Sequence, residues 1–244
     1  MKITIHPQYK NQEAAILKLI SVFFGEGDLV VKGARNTIKT NKLGGEKVSI
    51  KFFKKPGFLK SAIYSFFRKS KARRSYEYAN YLLDHGIPTP FPIAFIEERD
   101  AFGLLGNSFY ICHQIDYDFT IRELIHDPLF PERDRIIAQF TEFTFKMHEA
   151  DVKFLDHSPG NTLIVKKENG LYGFYLVDLN RMQFENLSME QRMDNFKKMW
   201  LSKQMIKVVA KKYAELSGQS ETKLHAILLE KSTQFKKNSR LANR

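Results

Sequence analysis

The sequence is poor in what several functional classes need. Cys112 is its only cysteine, which rules out an internal disulfide and a cysteine-based zinc cage and suits a reducing cytoplasm. Long apolar runs are missing as well. The first, residues 14–24 (AAILKLISVFF), is short and broken by Lys18, so it reads neither as a signal peptide nor as a membrane span. Acidic side chains are scarce beside basic ones, 27 against 39, which leaves a formal net charge of +12. That surplus implies anionic partners, whether phosphorylated small molecules, nucleic acid or an acidic membrane face, without choosing among them. There is no internal repeat or low-complexity linker. What is present is 244 residues, 43% hydrophobic, enough for one large core or two modest ones.

Periodicity sets the layout. Ile16, Leu17, Ile20, Phe23 and Phe24 recur at helical spacing and predict an amphipathic helix packed on the body, with a surface-lying membrane anchor as the alternative. Beyond Gly25 and Gly27 the pattern turns extended: DLVVKGARNTIKT holds two β-rich runs broken at residues 33–36, and NKLGGE makes a turn before KVSIKFF. Three antiparallel strands follow. Residues 58–86 are helical in character, Gly86 suits the C-cap, and Pro88, Pro90 and Pro92 forbid continuation. FGLLGNSFYICHQID supplies a hairpin and a strand. The chain then turns mostly helical from Thr120 to Ala150, where a second lobe begins. NTLIVKKENGLYGFYLVD reads as a hairpin turning near Asn169 and Gly170, with helices beyond Asp178. The expectation is an α+β protein of two lobes, 1–115 and 116–244.

The chemistry gathers around VKFLDHSPGNTLIV, residues 152–165, where a proline-stiffened loop sets Asp156 five residues before Asn161. Asp178 ends the apolar strand FYLV. Three oxygen-bearing side chains at the ends of short neighbouring strands can hold Mg²⁺ through hard ligands while a separate carboxylate meets a hydroxyl. In that division Asn161 and Asp178 take the metal, and Asp156 orients the acceptor hydroxyl and accepts its proton. Nucleotide phosphates need a cation, and VSIK ends in Lys51 on the third of these strands. Glu77 is the expected ion-pair partner of Lys51. Gly33 lets backbone approach phosphate, with Arg35 and Asn36 as further donors. The strand edge of Cys112, His113, Gln114 and Ile115 is expected to face adenine through backbone groups.

The order Gly33, Lys51, Glu77, Asp156, Asn161, Asp178 resembles the protein-kinase-like superfamily. DHSPGNTL is closer to the D-x-x-P-G-N-x-L loop of small-molecule kinases than to protein kinases. With GARNTIK, GIPTPFPIAF and VDLNRM, it is similar to the lipopolysaccharide core kinases that phosphorylate Kdo or heptose, over residues 29–182. The resemblance implies a bilobal protein-kinase-like fold, with an N-terminal antiparallel sheet carrying one main helix and a mostly helical C-terminal lobe. It also implies ATP with Mg²⁺ or Mn²⁺, and a lipid A-linked inner-core glycolipid reached peripherally at the inner, cytoplasmic face of the inner membrane. No obligate protein partner is inferred.

Two positions depart from H-R-D: Phe154 replaces the histidine and Leu155 the arginine. Loss of that arginine removes the usual partner of a phosphorylated activation segment. Residues 179–244 are too few for a full protein-substrate lobe and contain no A-P-E, which favours a small or lipid-linked acceptor. Alternatives are a pseudokinase scaffold and a phosphotransferase of aminoglycoside or choline kinase type. A basic nucleic-acid-binding module would explain the charge but leaves the ordered site residues without purpose, and no zinc-finger, RNP or K-homology motif is present. His148 reads as a hydrogen-bonded core histidine and His157 as an exposed loop residue, with contact to substrate as its alternative. Residues 66–74 (FFRKSKARR) read either as a solvated helix face or as a docking patch for anionic lipid.

Overall fold

Alternation in VSIKFF decides the first layer. In a computed structural model that describes residues 1–34, 36–55, 57 and 69–242, this segment lies in a strand whose side chains point to opposite faces in turn. The elements of this part are β1 (Lys2–Ile5), α1 (Glu13–Ser21), β2 (Asp28–Lys32), β3 (Asn36–Leu43), β4 (Glu46–Phe53), α2 (Lys71–Asp84), β5 (Pro92–Arg99) and β6 (Leu105–His113). All six strands form one antiparallel sheet in the order β1-β5-β6-β4-β3-β2. Val48, Ile50 and Phe52 face α1 and share a core with Ile16, Leu19, Phe23, Ile96, Phe109 and Ile111. Phe53 belongs to the opposite core, with Ala72 and Tyr76 of α2 and Phe95, Tyr110 and Cys112. Lys51, two residues from Phe53 and registered with Tyr110, is on this α2-facing side.

Several sequence expectations shift here. β1 was not foreseen. The N-terminal helix ends at Ser21, so Phe24 leaves the apolar stripe; it is 69% exposed and leans on the Phe52 ring at 5.2 Å. Of the expected helix over 58–86, residues 58–68 lie outside the described residues. The helix described, Lys71–Asp84, buries Ala72, Ser75, Tyr76, Ala79 and Leu82 at three- and four-residue spacing, and Gly86 follows it at φ +70°. Within the basic run, Arg74 is buried, so that position is not a solvated face.

The chain divides into two compact units, Met1–Asp84 with Pro90–Ile115, and His85–Thr89 with Asp116–Arg244. The short detour of His85–Thr89 into the second unit has a local cause. Thr89 Oγ1 donates to the Leu176 carbonyl at 2.7 Å and the Leu176 amide donates to the Pro88 carbonyl at 3.1 Å. The second unit contains β7 (Phe119–Thr120), α3 (Ile121–His126), α4 (Arg133–Glu149), β8 (Val152–Phe154), β9 (Thr162–Lys166), β10 (Tyr172–Leu176), β11 (Met182–Phe184), α5 (Met189–Asn195), α6 (Lys203–Ser217) and α7 (Glu221–Ala242). Its strands make two small antiparallel sheets, β10-β9-β7 and β11-β8. Asn169 and Gly170 both hold positive φ in the β9–β10 turn, as a two-residue hairpin turn requires. β11 corrects the expectation of helix alone beyond Asp178. The core sits around α4, whose Ile136, Ile137, Phe140 and Met147 are fully buried, against Val209, Ala210 and Tyr213 of α6.

Candidate active site

Asn161 and Asp178 are brought together by the β9–β10 hairpin. Leu176 is registered with Thr162, so Asn161 and Asp178 fall just beyond the paired ends of the two strands. The Val177 amide donates to the Asn161 carbonyl at 3.0 Å, which fixes the two chain segments side by side. Asn161 Nδ2 then donates to the Asp156 carbonyl at 2.8 Å. Because the amide nitrogen is used in this way, the acceptor oxygen Oδ1 is what Asn161 presents outward. Asp178 adopts φ +59°, an uncommon conformation for a residue other than glycine, and its Oδ1 accepts from Asn180 Nδ2 at 2.7 Å. A carboxylate and an amide oxygen are the hard donors that Mg²⁺ takes, so the residue types fit the ion expected there.

Asp156 is 28% exposed and is flanked by two cations, Arg181 Nη1 at 3.6 Å from Oδ2 and Lys198 Nζ at 3.7 Å from Oδ1. Neither cation was singled out from sequence. The backbone on which Asp156 stands is pinned on several sides. β8 pairs with β11 through Phe154 and Met182, and the Leu155 amide donates to the Arg181 carbonyl at 3.0 Å. Leu155's own carbonyl accepts from Lys198 Nζ at 2.6 Å.

Beneath the loop runs a buried polar chain. Asn195 Nδ2 donates to the Phe154 carbonyl at 2.8 Å, two residues before Asp156. This leaves Asn195 Oδ1 to accept from His148 Nε2 at 3.1 Å, so His148 Nδ1 is the acceptor for the Tyr213 hydroxyl at 2.9 Å. Burial lowers the His148 pKa to about 3, so the ring is the neutral tautomer this chain requires. Asn195 reaches its place because Ser188 and Gln191 form a capping box that starts α5, whose last residue it is. The expectation for His148 holds, whereas Asn195 and Tyr213 went unnoticed.

His157 overturns its expectation. Rather than an exposed loop residue it is 1% exposed, ringed by Phe140, Phe154 and Phe196 at centroid distances of 5.4, 5.8 and 5.9 Å. Neither ring nitrogen has a hydrogen-bond partner among the described residues, and burial lowers its pKa to about 4. It therefore serves as packing beneath the loop and is not placed to touch a substrate.

In the N-terminal unit, Lys51 Nζ stands 5.5 Å from the Phe53 ring centroid. Glu77, assigned from sequence to Lys51, has different described partners: Oε2 accepts from Lys69 at 2.7 Å and Oε1 from Arg73 at 2.8 Å. Burial works to raise the Glu77 pKa, but these two cations outweigh it and hold the carboxyl below its ordinary value. Arg35 lies outside the described residues. Gly33 donates its amide to the Asn36 carbonyl at 2.9 Å, and a Cβ at Gly33 would come within 2.7 Å of Asn36 Oδ1. The close approach that requires glycine here is thus made by Asn36. At the strand edge, the amides of His113 and Gln114 are committed to the carbonyls of Phe91 and Lys47, at 2.9 and 3.0 Å. The His113 ring meets the Tyr9 hydroxyl and Glu46 Oε2, the latter at 3.2 Å. The Ile115 amide has no hydrogen-bond partner among the described residues, which makes it the available donor of this edge. Cys112 is buried, and its thiol pKa is pushed up to about 12, so it is inert.

The architecture is the bilobal, α+β, protein-kinase-like fold. A solved structure described as WaaP in complex with acyl carrier protein matches over 97% of this chain and 99% of its own, with a TM-score of 0.68 and 14% sequence identity. At that identity the likeness speaks for the fold. No family model and no curated protein matches the sequence.

Proposed function

We propose that the protein is an ATP-dependent phosphotransferase that phosphorylates a sugar hydroxyl, of Kdo or heptose, on a lipid A-linked lipopolysaccharide inner core. The observation that carries this reading is the local convergence of Asp156, Asn161 and Asp178, tied by the Asn161-to-Asp156 and Val177-to-Asn161 hydrogen bonds. Asp156 accepts the hydroxyl proton. Asn161 and Asp178 would hold Mg²⁺ or Mn²⁺, which would supply charge neutralisation at the phosphates. Lys51 neutralises the nucleotide phosphates, Glu77 steadies α2 beside it, and Gly33, Arg35 and Asn36 form the loop over them. His113 and Ile115 border the adenine. Among the described residues no helix is long and apolar enough to cross a membrane, and the +12 charge suits peripheral attraction to an anionic bilayer and its glycolipids.

The test is incubation with γ-labelled ATP and, in parallel, Kdo–lipid A, a heptosylated inner core, an aminoglycoside and a generic basic protein. Label is expected on a core glycolipid. Label on the aminoglycoside or the protein alone would overturn the acceptor assignment, and absence of both turnover and a Mg-ATP-dependent rise in melting temperature would overturn the enzyme.

A further inference from the structure

We propose that Arg181 and Lys198 form an anion-reading subsite beside Asp156, which selects acceptors carrying a carboxylate or phosphate next to the reacting hydroxyl. The proposal rests on the phosphotransferase reading and concerns residues which that reading leaves without a role.

Two cations from separate elements converge on one carboxylate, leaving a net positive charge at the point where a hydroxyl is to be deprotonated. Their distances, 3.6 and 3.7 Å, exceed hydrogen-bond range, so they neutralise Asp156 without occupying its lone pairs through directed bonds. Neighbouring charges are matched more tightly: Lys197 holds Asp194 at 2.8 Å, and Arg192 is paired with Glu149. Among the described residues Arg181 and Lys198 have no acidic partner but Asp156. Both side chains reach solvent, at 57% and 34% exposure, so a ligand can meet them.

The geometry also fixes them in place relative to the reacting carboxylate. Leu155, which precedes Asp156, gives its amide to the Arg181 carbonyl and takes a hydrogen bond from Lys198 Nζ on its own carbonyl. The two cations therefore move with the catalytic loop. A guanidinium offers paired donors that match a carboxylate or phosphate, and an ammonium adds a point charge from the other side.

The arrangement has a consequence for catalysis. An anionic group on the acceptor meets the exposed Arg181 and Lys198 side chains, which seats the adjacent hydroxyl beside Asp156. A polycationic acceptor meets like charge at this subsite and is rejected.

The experiment measures acceptor binding by calorimetry without nucleotide, using two matched pairs: the methyl glycoside of Kdo against its carboxyl-reduced alcohol, and heptose phosphate against heptose. Wild type is expected to prefer the charged member of at least one pair by about tenfold or more, the pair revealing whether carboxylate or phosphate is read. Arg181→Gln and Lys198→Gln should each lose most of that preference while binding the uncharged member as wild type does. Equal affinity for charged and uncharged members of both pairs would overturn the subsite, as would undetectable binding of both charged sugars. The Mg-ATP melting shift is recorded on the same protein. Loss of the sugar preference with that shift intact removes the subsite and leaves the phosphotransferase reading standing.

Discussion

Every residue of β2, which leads into Gly33, is exposed, whereas Phe154 and His157 on either side of Asp156 are almost wholly buried. Among the described residues the first loop is closed by the Gly33-to-Asn36 backbone bond, while the second rests on the Tyr213–His148–Asn195 chain and three aromatic rings. A segment that must admit and release a nucleotide needs low local stability, and a base that must meet one hydroxyl needs a fixed position. Under the proposed phosphotransferase reading, the two loops match those opposite requirements.

The largest effect expected is on the fixed side. Asp156→Asn preserves shape, since Asn161 bonds the Asp156 backbone and not its carboxylate, but removes the proposed proton acceptor. Turnover should fall by about 10²–10⁴ with ATP affinity retained. Asp178→Asn should instead weaken metal-dependent ATP binding. Single-turnover kinetics alongside ATP titration separates the two, and full activity in Asp156→Asn would move the base elsewhere.

An intermediate effect comes from acid. His148 and His157 are held neutral, with pKa values lowered to about 3 and about 4 against 6.5 for an exposed histidine. Below pH 6.5 the unfolded chain takes up protons that the folded chain refuses, so stability is full above that pH and falls as pH drops toward 4. Two such groups contribute a slope of about 2.7 kcal/mol per pH unit once both are charged in the unfolded state. His157→Leu replaces a ring without hydrogen bonds by an apolar side chain and should remove about half of this contribution. Urea unfolding between pH 6 and 4.5 measures it, and identical pH slopes for wild type and variant would contradict the buried neutral state of His157.

The sequence made one kind of information legible. Alternation in VSIKFF puts Lys51 on the Phe53 face, and the order of Asp156, Asn161 and Asp178 against strand signals locates the loop ends, because each rests on contacts only a few residues apart or on period-2 geometry. Partners far along the chain stayed hidden. Asn195 and Tyr213 reach His148 across 47 and 65 residues, and nothing local in MDNF or VVAKKY marks them. His157 looked like a loop residue for the same reason: its burial is made by Phe140 and Phe196 from distant helices. At Glu77 the described carboxylate partners are the nearby Lys69 and Arg73, which the expected longer-range pairing with Lys51 does not include.

The smallest effect sharpens the contrast by making one substitution in both regions. Val30 in β2 is 53% exposed between the equally bare Leu29 and Val31, while Val152 in β8 is fully buried below the Asp156 loop. Valine to threonine keeps the β-branched shape and strand preference but adds a hydroxyl. At Val152 that hydroxyl enters a packed interior, and an unsatisfied buried polar group costs about 1–3 kcal/mol. At Val30 it meets water, and the change should stay within about 0.5 kcal/mol. Denaturant midpoints of Val152→Thr and Val30→Thr at neutral pH give the comparison directly. A Val30→Thr loss as large as that of Val152→Thr would mean that β2 is covered in solution, and the Gly33 loop would no longer count as the loosely held half.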